Sequence, residues 1–206
     1  MAAPRRTRTR PRKAPKQARS RETVEAILEA AARVFVQHGY AKATTNRIAQ
    51  AAGISVGSLY QYYPSKDSIA VELLRRYREM LLDLVRKHLA GVDGATLESA
   101  VRAMFASFLR AEGINPALHR VLIEQVLRTQ ARGEILGFEE SIESMLAETI
   151  REVTGGAFQR DPDVAAFVMV RALLGAVHAA VVDRPTMNGP ALVDELTRLV
   201  VRFLAP

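Results

Sequence analysis

Thr44-Thr45-Asn46-Arg47-Ile48-Ala49-Gln50-Ala51-Ala52-Gly53-Ile54-Ser55-Val56-Gly57-Ser58-Leu59-Tyr60-Gln61-Tyr62-Tyr63-Pro64-Ser65-Lys66 is the stretch on which the fold turns. Ile48, Ala49 and Ala52 recur at helical spacing, and Gly53 stands where a helix would end in a left-handed residue. A second short helix follows from Val56 until Pro64 interrupts it, with Ser55 placed to cap its free amides. Two helices joined by so tight a turn form a helix-turn-helix, the unit that sets a recognition helix into the DNA major groove. Gly53-Ile54-Ser55-Val56-Gly57 also spells the G-x-S-x-G nucleophile elbow of hydrolases. That elbow needs a strand before its serine, whereas Arg47 to Ala52 reads as helix, so the context refuses it.

Outward from this stretch the periodicity stays helical. A helix from about Ser20 to Gln37 carries Val24, Ile27, Leu28, Ala31, Val34 and Phe35 on one face and ends at Gly39. It is the natural partner of the helix-turn-helix, since three short helices enclose a core that two cannot. Ser65 opens a long helix with Asp67 in its first turn and Ile69, Leu73, Leu74, Tyr77, Leu81, Leu84 and Val85 along its apolar face. Glycine and proline breaks then set off helices over about 97–111, 117–131, 138–153, 163–182 and 191–204. The expectation is an all-α chain of about nine helices, three in an N-terminal head and six in a C-terminal body.

The helix-turn-helix resembles that of the TetR family of transcriptional regulators. The resemblance rests on Thr44 and Thr45, the Ile48-Ala49 pair, the Ala52-Gly53-Ile54-Ser55 turn, and Gly57, Leu59, Tyr60, Tyr62, Tyr63 and Lys66, and it covers roughly residues 20 to 70. It implies a DNA-binding domain over 20–66 and a helical effector-binding and dimerisation domain over 67–206, preceded here by a basic arm over 1–19.

The charge supports that division. Nine basic residues, Arg5 to Arg21, precede the first acid, Glu22; with a net charge of +7 for the whole chain, residues 22–206 carry −2. The arm is Pro-rich and like-charged, with too little apolar surface to fold alone, which predicts disorder in the free protein. It reads either as an arm that neutralises DNA phosphates or as a solubilising leader. Pro4, Pro11 and Pro15 argue against the amphipathic helix of a transit peptide, and no apolar run follows that would make a secretory signal. The expected location is the cytoplasm. With no cysteine, disulfides and thiol chemistry are excluded.

Val164 to Val182 is apolar except for Arg171 and His178. A membrane span would place Arg171 near its centre at a cost of roughly 2.5–3.5 kcal/mol, so a helix buried on most sides is expected and no membrane partner. Ala172, Gly175, Ala176, Ala179 and Ala180 allow close backbone approach, and Leu192, Leu196, Leu199, Val200 and Phe203 stripe the last helix. Two such helices from each of two chains would make a four-helix bundle, and the resemblance points to the same pair, 163–182 and 191–204, as a homodimer interface.

Candidate site residues fall into two groups. On the DNA side stand Thr45, Arg47, Ser55, Val56, Gly57, Ser58, Tyr60, Gln61, Tyr62 and Lys66, with Gln61 best suited to a base edge and the tyrosines and Lys66 to phosphate or sugar. Tyr63, four positions after Leu59, is expected in the head's core. For a small-molecule effector the candidates are Phe105, Phe108, His119, Met145, Phe167 and Arg171, bulky or polar residues on inner faces. Arg171 requires a partner, either a carboxylate such as Glu124 or an anionic ligand. His38, His88, His119 and His178 are too scattered for a zinc signature, Glu139, Glu140 and Glu143 read as a solvated face, and no phosphate-binding loop occurs, so no metal or cofactor is expected. The reading is a homodimeric, ligand-responsive repressor that binds a palindromic operator and is not an enzyme. An enzyme fused to a DNA-binding head and a constitutive DNA binder with a filled interior are the competitors.

Overall fold

The computed structural model describes residues 14–110, 118, 121–122, 132–155, 157–187 and 189–204. Among them lie eight α-helices, one 3₁₀ turn and no strand: α1 (Ala14–Lys42), α2 (Thr45–Ala51), α3 (Val56–Tyr60), α4 (Lys66–Leu89), α5 (Leu97–Arg110), α6 (Arg132–Thr154), α7 (Pro162–Val182), the turn Pro185–Met187, and α8 (Pro190–Leu204). The helix expected over 117–131 lies outside the described residues except at Leu118, Val121 and Leu122, which are helical. The chain divides within α4 into two compact units, the first ending at Ile69 and the second beginning at Ala70.

In the first unit α1 begins at Ala14, about six residues before the expected start and inside the segment read as a disordered arm. Pro15 falls in its first turn, where an absent N–H costs nothing. Gly39 breaks the helix with φ 69° and ψ 159°, a left-handed φ that glycine adopts without a Cβ clash. Ile27, Leu28, Ala31, Val34 and Phe35 on the one-sided stripe of α1 are buried, as are Ile48, Ala49, Leu59 and Ile69, and α1 packs on α2 and α2 on α3.

In the second unit α5 packs on α8 and α6 on α7. The core they share includes Val101, Phe105, Ile150, Ala166, Met169, Leu196 and Val200. Asp161 caps α7, its carboxylate accepting the N–H groups of Asp163 at 2.9 Å and Val164 at 3.3 Å, and Pro162 occupies the first helical position.

Pro162–Ala180 is long and apolar enough to cross a membrane by length and composition. Its environment corrects the expectation of a helix buried on most sides. Ala165, Ala166, Met169, Val170 and Leu173 are buried, while Val164, Phe167 and Val168 are 59, 50 and 48 % exposed and Ala172 and Gly175 lie open beside them. One face packs on the chain's own core and the opposite, equally apolar face does not. On α8, Leu199 is 49 % exposed in the same way.

Candidate functional site

The helix-turn-helix is held by local bonds that its residue types dictate. The Thr44 hydroxyl caps α2 by accepting from the Arg47 N–H at 3.2 Å. At the far end Gly53 has φ 69°, the Ile54 N–H reaches the Ala49 carbonyl at 3.0 Å, and the Gly53 N–H reaches that of Gln50 at 3.1 Å. That pair of bonds is the Schellman closure, and it turns the chain straight into the Ser55 cap of α3. The Ser55 hydroxyl accepts from the Ser58 N–H at 3.0 Å and lies 2.8 Å from the Ser58 hydroxyl.

The recognition helix is shorter than expected. It ends at Tyr60 because the Leu59 carbonyl takes the N–H groups of both Tyr62 and Tyr63, each at 3.0 Å, so Gln61 and Tyr62 follow it in a tight turn. Leu59 anchors the helix in the core. Arg47, Ser55, Gly57, Tyr60 and Gln61 are exposed, and Thr45, Val56, Ser58 and Tyr62 are half-buried. The hydroxyls of Thr45 and Tyr60 lie 3.0 Å apart, tying the start of α2 to the end of α3 and fixing the phenol on the open side.

Gly57 is unusual within this element. A Cβ placed there would meet only the Ser55 Oγ, at 3.9 Å, and its φ is not left-handed. Neither packing nor backbone conformation therefore demands a glycine, although glycine is a poor helix residue.

Lys66 faces two demands. Its ammonium is part-buried and donates to the carbonyls of Tyr40 at 2.7 Å and Ala43 at 3.1 Å, with the Tyr40 ring 4.4 Å away. The Tyr40 hydroxyl donates to the Asp67 carboxylate, and burial, then that bond, raise the phenol's pKa far above its ordinary value. Lys66 and Asp67 thus clamp the connection between α1 and α2 from the start of α4. Sequence reasoning missed this clamp, since nothing in the spacing pairs Tyr40 with residues 26 and 27 positions away.

The second unit contains an apolar cavity of about 70 Å³ lined from α4 (Val85, Leu89), α5 (Leu97, Val101, Met104, Phe105, Phe108), α6 (Ile142, Leu146, Thr149), α7 (Met169, Val170, Leu173, Leu174, Val177) and α8 (Val200, Leu204). Of the effector candidates, Phe105 and Phe108 line it and Met145, Phe167 and Arg171 do not; His119 lies outside the described residues. The helical stripe that presents Phe105 and Phe108 also presents Val101 and Met104, so the signal for those two was available in the sequence.

Arg171 is occupied elsewhere. Its guanidinium bonds to Glu139 and Glu143 of α6, the latter at 3.0 Å, and stacks over Phe167 at 5.3 Å. The requirement for a partner is met by the two glutamates that the sequence reading left on a solvated face, and Glu124 lies outside the described residues. Among the described residues no group of three or more metal-ligating side chains is brought together.

Residues 27–73 match the model of bacterial regulatory proteins of the TetR family, and residues 96–204 match the tetracycline-repressor-like C-terminal domain. Among curated proteins the chain is 40 % identical over 81 residues to the HTH-type transcriptional repressor KstR2 of Rhodococcus jostii, an alignment covering 38 % of this chain and 40 % of that protein. The chain spans about two-fifths to three-fifths of the length of the first curated relatives it matches. Among solved structures, GusR of Salmonella enterica superposes with a TM-score of 0.72 at 21 % identity, over 88 % of this chain and 95 % of that one. FadR of Thermus thermophilus, a TetR family repressor in complex with lauroyl-CoA, gives 0.61 at 18 % identity, over 89 % and 95 %.

Proposed function

The chain belongs to the TetR family of bacterial regulators, and from that premise we propose that it is a cytoplasmic, ligand-responsive repressor. It binds a palindromic DNA operator as a homodimer and leaves it when a small molecule enters the cavity of the second unit. The observation that carries the reading is the capped, solvent-facing α3, with Tyr60, Gln61 and Gly57 open beside a buried Leu59. The N-terminal residues of such a helix reach base edges in the major groove, and hydroxyls and cations around it position the backbone.

Dimerisation through 163–182 and 191–204 is supported by the exposed apolar side of α7 and by Leu199 of α8. Continuity of a large apolar face with small residues such as Ala172 and Gly175 suits a second helix of the same kind in close approach. A membrane would instead have to accept α7 together with the ion-paired Glu139 and Glu143 of α6. The cavity favours a ligand-responsive regulator over a constitutive binder, whose interior would be filled. No part of this reading requires catalysis.

The test is to sequence DNA selected by the full-length protein from a random library. Enrichment of an inverted repeat whose half-sites lie one helical turn apart supports the proposal. Enrichment of a lone half-site, or no enrichment, overturns the dimeric operator reading.

A further inference from the structure

The chemistry of the cavity narrows the class of effector, an inference that rests on the ligand-responsive reading above. We infer that the portion of the ligand held in this cavity is an uncharged hydrocarbon surface, aliphatic or aromatic, with no hydrogen-bonding group to satisfy. Among the described residues every lining side chain is apolar except Thr149. The Thr149 hydroxyl already donates its proton to the Met145 carbonyl at 2.9 Å, so the described lining presents no free donor. Arg171, the cation among the effector candidates, is ion-paired with Glu139 and Glu143 and does not line the space.

A carboxylate or ammonium entering such a site loses its hydration and gains no partner from the described lining, which disfavours it by orders of magnitude in affinity. Water is excluded by the same reasoning, because a buried water needs two to four polar contacts and an apolar cavity of this kind stays dry. The cavity therefore suits a neutral apolar group of matching size. Size is set by about 70 Å³ of space together with Met104 and Met169, whose unbranched side chains repack more readily than leucine or valine. Val85 and Leu89 bring the C-terminal half of α4 into the lining, so occupancy acts directly on the helix that begins in the DNA-binding unit.

Three probes of one ring size test the inference on the full-length protein: toluene, benzoate and benzylamine at neutral pH. Toluene is expected to raise the melting temperature, to show nuclear Overhauser contacts to the methyls of Met104 and Met169, and to bind at least about a hundredfold more tightly than either charged probe. Val101→Phe, which fills the space, should abolish toluene binding; if that variant does not fold, the methionine contacts alone decide the location. Tighter binding of benzoate or benzylamine, or toluene binding without contact to either methionine, overturns the inference while leaving the regulator reading intact. Selective toluene binding at these methionines with no change in operator affinity upholds the ligand class and overturns the effector reading instead.

Discussion

Gly57→Ala separates what the fold wants at the recognition helix from what DNA wants. The position lies in the first turn of α3, its φ is not left-handed, and an added Cβ would sit at ordinary contact distance, 3.9 Å, from one hydroxyl oxygen. Replacing glycine by alanine at such a helical site stabilises by about 0.5–1 kcal/mol, chiefly by reducing the freedom of the unfolded chain. On the proposed operator-binding reading, the bare surface at Gly57 serves close approach of the DNA backbone or a base edge. A methyl group forced into that approach costs each half-site about 1.4 kcal/mol, tenfold in affinity, and a dimer on two half-sites about a hundredfold. Stability is measured by urea denaturation of the full-length protein at several concentrations, and affinity by fluorescence anisotropy with the selected operator at fixed salt. Operator affinity within twofold of wild type would refute the close-approach argument. A loss of stability would refute the reading of Gly57 as a site the fold leaves open.

Lys66→Met should weaken the clamp on the Tyr40 to Ala43 connection and speed hydrogen exchange at the amides of Ala43 and Ile48, because it removes two charge-assisted bonds worth about 1.5–3 kcal/mol each at most. An unchanged exchange pattern with a salt slope reduced by about one phosphate's worth would instead assign the ammonium wholly to DNA. Val168→Glu, on the exposed side of α7, should give a folded monomer in analytical ultracentrifugation that no longer binds the full operator tightly; a dimeric variant would move the interface elsewhere. Burial pushes the Tyr77 phenol up to about 12, with the Arg78 charge pulling the other way. The unfolded phenol loses its proton near pH 10, so stability falls as pH rises from 10 to 12, by about 2 kcal/mol, and Tyr77→Phe should flatten that fall in alkaline denaturation curves.

The head was legible because its signals are local. A threonine cap, a left-handed glycine and a serine cap lie within twelve residues, and each acts on backbone groups no more than a few positions away. The recognition helix still came out three residues shorter than Pro64 suggested, since a helix can end by shared carbonyl bonding before a proline forces it to. The start of α1 was misplaced for a related reason: charge repulsion argued for disorder from residue 1 to 19, whereas the backbone from Ala14 continues the amphipathic helix that follows it. Burial on α7 failed differently. An apolar residue type says that a surface should be covered, and it does not say whether the cover comes from the same chain.

Arg171 shows where residue chemistry outruns residue position. A guanidinium on an apolar helix must find acceptors, and that much followed from the sequence. Which acceptors it finds depends on the register between α6 and α7, two helices whose facing positions no local pattern encodes. Glu139 and Glu143 stand one turn apart, so a single guanidinium on the adjoining helix reaches both. The same spacing on an isolated helix describes a solvated acidic face. Once the pair is made, a charge that could have recruited an anionic ligand becomes a strut between α6 and α7, its stem beside Phe167 on the open apolar side. On the proposed ligand-responsive reading, the cavity is left to recognise its effector by shape and apolar surface.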